Sequence, residues 1–406
     1  MAVDVDSVKA TSRNNGLPTI KVVGVGGGGG NAVNRMIKDN VKGVEYIAMN
    51  TDAMALNSSK ADILVPLGNS ITRGLGAGMK PEVGKMAAEA EVEAIESILR
   101  GADLVFLAAG LGGGTGTGAI SIVAEVAKEL EILTIAVVTT PFSFEGKKRA
   151  QIAEAGLLEL RKHVDTLVTI SNTRLLELAS EKTTMTEAFS MADDVLKQAI
   201  SGITNLINLE GVINLDFADL RTVMEDKGSA LMGTGAAYGE NRGLDAVRKA
   251  INSPLLNKPI AGATGVIINI VADNDFPLLD AEAAAVCVQE SAHEDADVIF
   301  GLVYDQDLQN EVFVTVIATG FEKSFKEKSK RRFGKSPLRV SDSLKYQIDP
   351  RKKLKTNSEI QAASRQGETK APSESVKDDN KDASNHSSQK TVEEIEIPHF
   401  MRHRHD

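Results

Sequence analysis

No tryptophan occurs in the 406 residues and aromatic side chains make up only 4% of them, so any core must be mostly aliphatic. The single cysteine, Cys287 in the apolar stretch AAAVCVQ, leaves no disulfide within the chain and reads as a small buried hydrophobe rather than a nucleophile. No run approaches the roughly 18 consecutive apolar residues of a membrane span. The opening MAVDVDSVKATSRNNGLP also lacks the apolar core of a signal peptide. These absences predict a cytoplasmic protein without a disulfide scaffold or bilayer segment. The chain has 42% hydrophobic and 25% charged residues, a globular composition, and is long enough for two domains and a tail.

Charge is unevenly spread. Residues 1–322 carry 26 Lys/Arg against 43 Asp/Glu, whereas residues 323–355 carry 13 against 3. A body so acidic disfavours nucleic acid as a partner for the folded part, and the basic stretch reads as a solvated leash.

Short apolar runs punctuate the first half: TIKVVGV (19–25), EYIAMN (45–50), DILVPL (62–67), DLVFLAA (103–109), LTIAVVTT (133–140) and DTLVTIS (165–171). Continuous rather than alternating apolarity predicts strands buried on both faces, hence a mainly parallel α/β sheet. A long helical pattern follows, opened by a capping-box spacing at Thr184 and Glu187. Four more strand-like runs, with helices between them, predict a second, smaller α/β domain ending near Phe321. The expected layout is a flexible N-terminus (1–18), a nucleotide-binding domain (19–183), a central helix (184–208) and a C-terminal domain (209–322). A disordered linker (323–390) and a docking peptide (391–406) complete it. The linker is polar and without period, while Ile395, Ile397, Phe400 and Met401 at the end cannot form a core alone.

Three glycine-rich segments follow strands: GVGGGGGN (24–31), GLGAG (74–78) and GLGGGTGTG (110–118). Such density has a conformational cost that close backbone approach to a ligand offsets, most often a phosphate. Gly24, Gly26 and Gly29 have the spacing of a dinucleotide fingerprint, with Glu45 about 20 residues from its start as a candidate ribose acid. No loop supplies the Lys-Ser/Thr of a P-loop, so amides, helix N-termini, the hydroxyls of Thr115 and Thr117 and a bound cation must carry the phosphate charge. Asp193, within the long helical pattern, reads from the residues alone as a solvated surface charge as readily as a ligand-binding carboxylate. Asp216 and Asp219, three apart, share a helix face and can approach one water or cation, while Asp216 is also a candidate N-cap. A polymerising GTPase, a nicotinamide oxidoreductase and a non-catalytic scaffold all remain open at this point.

GGGTGTG, together with GVGGGGGNAVNRM, NTDA, PFSFEG, NLDFADL and VIATGF in that order, resembles the FtsZ family, bacterial cell-division homologues of tubulin. The resemblance covers residues 19–321 and resumes in EIPHFMR. It implies a tubulin-like fold, and a GTPase that polymerises head to tail into protofilaments and forms the cytokinetic ring at midcell. GTP/GDP with Mg2+ would be the cofactor, and a membrane tether such as FtsA, with other division proteins, the partners of residues 391–406. The first loop would contribute Gly27, Gly28, Gly29, Gly30 and Asn31, the second Ala77 and Gly78, and the signature loop Gly114, Thr115 and Gly116. Glu145 and Arg149 would lie at the ribose and phosphate end, with Asn172, Phe189 and Asp193 on guanine. Asp216, Asp219 and Asn214 would act catalytically on the nucleotide of the neighbouring subunit. The chain departs from the family pattern at Met54, Thr140, Ser171 and His399, none of which removes a catalytic group.

Overall fold

The computed structural model describes residues 17–180, 182–208, 216–306 and 308–321. Asn214, the linker, the docking peptide and all but Leu17 and Pro18 of the N-terminal stretch therefore lie outside the described residues.

The first half runs β1 (Ile20–Val25), α1 (Gly26–Lys38), β2 (Glu45–Asn50), α2 (Ala53–Asn57), β3 (Ile63–Pro66), α3 (Asn69–Thr72), α4 (Pro81–Glu89), α5 (Val92–Leu99), β4 (Leu104–Gly110), α6 (Thr115–Glu129) and β5 (Leu133–Thr140). A 3-10 turn (Ser143–Glu145) leads into α7 (Lys147–Leu160), β6 (Thr166–Ser171), α8 (Asn172–Leu175) and α9 (Met185–Asn208). The second half is α10 (Phe217–Met224), β7 (Gly228–Tyr238), α11 (Arg242–Ile251), β8 (Gly265–Ala272), α12 (Leu278–Ser291), β9 (Asp297–Tyr304) and β10 (Glu311–Thr319).

The strands form one ten-stranded sheet in the order β3-β2-β1-β4-β5-β6-β7-β10-β8-β9. From β3 to β6 every pairing is parallel. Alternation of buried side chains explains why. Leu104, Phe106 and Ala108 of β4 enter one core with α1 and α9, while Val105, Leu107 and Ala109 enter another with α5 and α6. Strands apolar on both faces need helices on both faces, which right-handed crossovers supply. β7 pairs parallel with β6 at Thr166–Val168 and antiparallel with β10 over Glu311–Ala318, so it carries the sheet into the second half. There β10 and β8 are antiparallel and α11 and α12 cover one face. Cys287 packs against that third core, as a small hydrophobe would.

α9 opens with the expected capping box: Glu187 N donates to Thr184 Oγ1 at 3.2 Å and Thr184 N to Glu187 Oε2 at 2.6 Å. Its buried residues recur at helical spacing, among them Ala188, Ala192, Val195, Ala199, Ile203 and Leu206. At its far end Asn208 Nδ2 donates to Gly43 O at 2.9 Å, just before β2 begins. The helix thus runs along the sheet from the carboxyl ends of the parallel strands to their amino ends, about 36 Å for its length.

The glycine run after β1 is not a loop. Gly26–Asn31 forms the first turns of α1, although glycine is a poor helix former. Close packing overrides propensity: a Cβ on Gly29 would lie 2.1 Å from Ala108 O, and one on Gly24 would lie 2.4 Å from Gly29 O. Around Gly27 and Gly30, by contrast, the space is open.

Candidate functional site

The carboxyl ends of β1, β2, β4, β5 and β6 meet at one edge of the sheet, the position where open α/β sheets bind ligands. From β1 the chain enters α1 directly. From β4 it passes through Leu111–Gly114 into α6, and Gly112 takes φ 97° so that its N–H donates to Thr117 Oγ1 at 2.9 Å. That buried hydroxyl closes the loop, whereas Thr115 Oγ1 sits 2.6 Å from Thr51 Oγ1 after β2. The two glycine segments interlock, since a Cβ on Gly26 would lie 2.8 Å from Gly116 N and one on Gly28 would lie 3.1 Å from Gly110 N. Ala77 fills the space beside Gly114, and Gly78 follows it in a left-handed turn with φ 56°.

Neither α1 nor α6 has a side-chain N-cap or an acidic residue in its first turn. Their first amides and dipole ends are left for an anion, at positions where a carboxylate would repel one. Beyond β5, Glu145 accepts from Phe142 N at 2.9 Å and pairs with Arg149. Phe142 stacks on Phe144 and meets the exposed Phe189 ring edge-on at 5.2 Å. Asn172, at the start of α8, is buried with its Oδ1 unpartnered. A buried acceptor at a site's edge needs a donor, which a ligand or a water supplies.

On α9, Asp194 is held by Arg35 of α1, and among the described residues Asp193 beside it has no ion pair. Burial pushes the Asp193 carboxyl up to about 7; the Arg35 guanidinium opposes that rise and the neighbouring Asp194 adds to it.

Three of the expected residues lie away from this edge. Glu45 begins β2 rather than ending it, and pairs at 3.0 Å with Lys21 at the amino edge. A ribose acid of a dinucleotide site would stand at the strand's carboxyl end, so the nicotinamide alternative loses its acid. Asp216 and Asp219 are also remote from the glycine segments. Asp216 caps α10, accepting from Asp219 N at 2.8 Å, and the far end of α10 is tied by Thr166 Oγ1 to Met224 O, at the start of β6. Asp219 opens on a cleft of about 610 Å³ shared with His293 and Asp297. Most of the length of α9 therefore separates the acids from the amides within one chain.

Thr51, Phe142 and Arg35 lie within NTDA, PFSFEG and GVGGGGGNAVNRM, motifs that by themselves give these three residues no role. Their signal lay only in the ends of β2 and β5 and the helical register of α1.

The described body superposes on the empty FtsZ dimer structure from M. jannaschii with a TM-score of 0.73 and 42% identity, covering 75% of this chain and 89% of that one. The chain belongs to the FtsZ family. Residues 19–180 match the Tubulin/FtsZ family GTPase domain and residues 228–322 the FtsZ family C-terminal domain. CetZ1 from Haloferax volcanii, a GDP-bound monomer, is 19% identical with a TM-score of 0.65, covering 78% of this chain and 99% of that one. CetZ2 from the same organism, a GTPγS-bound protofilament, is 21% identical with a TM-score of 0.62, covering 78% and 98%, and these two share the fold. As an FtsZ-family member the chain is a tubulin-like GTPase of cell division that binds guanine nucleotide. Among the described residues no helix is long and apolar enough to cross a membrane.

Proposed function

We propose that this GTPase assembles head to tail into protofilaments that form the cytokinetic ring at midcell in the cytoplasm, hydrolysing GTP only between subunits. The observation that carries the reading is the separation of Asp216 and Asp219 from the glycine-rich edge. Stacking a second copy along α9 would bring the amino edge of one chain over the carboxyl edge of the next. The domain limits expected from sequence fit this division, with residues 19–183 binding nucleotide and residues 209–322 activating the neighbour.

In this mechanism the amides at Gly27–Gly30 and Gly114–Gly116 receive the phosphates, with Asn31, Ala77 and Gly78 lining the rim. Glu145 and Arg149 stand at the ribose and phosphate end. Phe189 stacks on guanine while Asn172 Oδ1 and Asp193 accept its N–H groups. Asp216 uses one carboxylate oxygen as cap, which fixes its orientation and leaves the other for a water. Asp219 and Asn214 of the same subunit complete the water's surroundings. Phosphoryl transfer to water needs positioning and charge compensation more than covalent help.

Among the described residues no three His, Cys, Asp or Glu side chains form a metal cluster. Mg2+ fits such a site when the phosphates supply most of its ligands, with Thr51, Asp52 and Thr115 as nearby oxygen donors. It would supply shielding of the β- and γ-phosphate charge.

Right-angle light scattering tests the assembly reading: GTP should raise it, hydrolysis should reverse it, and NAD should do nothing. Deleting residues 391–406 should leave both signals nearly unchanged while ending recruitment to vesicles bearing a tether such as FtsA. An absence of GTP-dependent scattering in the full chain at any concentration would remove the reading.

The raised Asp193 carboxyl has a consequence for pH. In the empty chain the stability it contributes is fully present below about pH 4 and is lost as pH rises through about 7. Guanine's two donors favour the charged form, so nucleotide affinity runs the opposite way. Affinity should rise by up to tenfold per pH unit between about pH 5 and 7, then level off. Calorimetric titration of GDP against pH checks this, with Asp193→Asn expected to be flatter by one proton. Equal slopes in both chains would assign the whole dependence to the phosphates.

A further inference from the structure

Between the phosphate edge and the base edge of the site lies an ion pair that neither subsite explains. Arg35 and Asp194 join α1 to α9 as a fork: Nε to Oδ1 at 2.6 Å and Nη2 to Oδ2 at 3.0 Å. The carboxylate is nearly buried, at 10% exposure of its side chain, against 25% for the arginine. Lys197 shares the same carboxylate at 3.6 Å and reaches Asp39 at the end of α1. Arg35 is one turn after Asn31 on the helix whose first turns form the glycine edge, and Asp194 adjoins Asp193. Resting on the reading that Asp193 accepts guanine, we propose that Arg35 is a positioning residue for base recognition, clamping α9 to the phosphate helix and supplying the positive charge that keeps Asp193 ready to accept.

A planar bidentate guanidinium fixes both distance and angle between two helices, which a lysine ammonium does not. It also sets the charge balance at Asp193. The charged groups on the packed elements are Arg35 and Lys38 on α1 with Asp39 just past its end, Glu187, Asp194 and Lys197 on α9, and Arg174 on α8, whose guanidinium donates to Pro254 O. Of these, Arg35 lowers and Asp194 raises the proton affinity of Asp193. The two substitutions that remove these charges therefore act in opposite directions, which damage to packing alone would not do.

The test is calorimetric titration of GDP into the nucleotide-stripped full chain from pH 6 to 9. Arg35→Gln should move the midpoint of the affinity-pH curve up by about one unit, weakening GDP about fivefold at pH 7 and converging with the parent chain above pH 9. Asp194→Asn should move the midpoint down, and it carries the test should Arg35→Gln fail to fold. Arg35→Lys should keep the midpoint and recover only part of the affinity, because the charge remains and the fork is lost. In an Asp193→Asn background Arg35→Gln should no longer alter the pH dependence. Midpoints that stay fixed, or that move in the same direction in both charge variants, would overturn the proposal while leaving the base reading intact. Base recognition is scored separately by IDP, which lacks the 2-amino group. Asp193→Ala should erase the preference for GDP over IDP, and an unchanged preference would remove the base reading and the proposal with it.

Discussion

A chain carrying Asp219→Ala is expected to bind GTP normally and to assemble, yet to hydrolyse it roughly 10²–10⁴ times more slowly. Its own amide-lined edge is whole, because Asp219 sits at the amino edge beside the starts of β8 and β9 and does not touch the glycine segments. The defect therefore belongs to the neighbour whose nucleotide this loop would cover. Mixed with intact chains, the variant should slow their turnover in proportion to its share of the filament. Turnover per subunit should also rise above a threshold concentration and vanish below it. Phosphate release measured across a dilution series, alongside sedimentation to establish the monomer, gives the decisive comparison: full-rate hydrolysis by a monomer would exclude the shared site. Asp216 needs a subtler variant, since alanine there also removes the cap of α10, about 1 kcal/mol of helix stability. Asp216→Asn retains the cap and isolates the chemistry.

The second large effect divides the glycines of α1 into two kinds. Gly29→Ala should cost more than about 3 kcal/mol, because the new Cβ would meet the backbone oxygen of Ala108 at 2.1 Å and neither strand nor helix has a flexible end to move. Gly30→Ala meets nothing within 4 Å and should leave the empty chain as stable or slightly more so, alanine being the better helix former. Its cost should appear in ligand binding, as a tenfold or greater loss of GDP affinity if the phosphates lie against this turn. Thermal unfolding with and without GDP separates the two: Gly29→Ala lowers the melting temperature in both conditions, and Gly30→Ala loses only the increment that GDP adds. A Gly29→Ala chain that melts with the parent would show that α1 can lift from β4 without penalty.

Much of this was legible in the residues. EYIAMN and LTIAVVTT became strands with the expected limits because strands buried on both faces leave an unbroken apolar trace. The capping box at Thr184 and Glu187 was equally plain, being a local pattern fixed within four residues. What could not be read was the meaning of glycine. The same residue type serves a backbone contact at Gly29 and an open surface at Gly30, and only the partner strand β4 distinguishes them. Glu45 misled for a related reason. Its distance along the chain suited a ribose acid, but one strand length decides whether an acid sits at the amino or the carboxyl edge. The role of β7 as a member of both halves was hidden too, because pairing partners far apart in sequence leave no periodic trace.

That strand has a mechanical consequence. β7 meets β6 through three residue pairs, Thr166–Gly228 to Val168–Ala230, but meets β10 through eight, from Glu311–Tyr238 to Ala318–Leu231. Tension that pulled the two halves apart across the sheet would load the shorter ladder first, with the apolar layer beneath α9 as the remaining restraint. The body should therefore yield as two blocks parting at one seam before either block unravels, and release of the load would let the same three pairs close again.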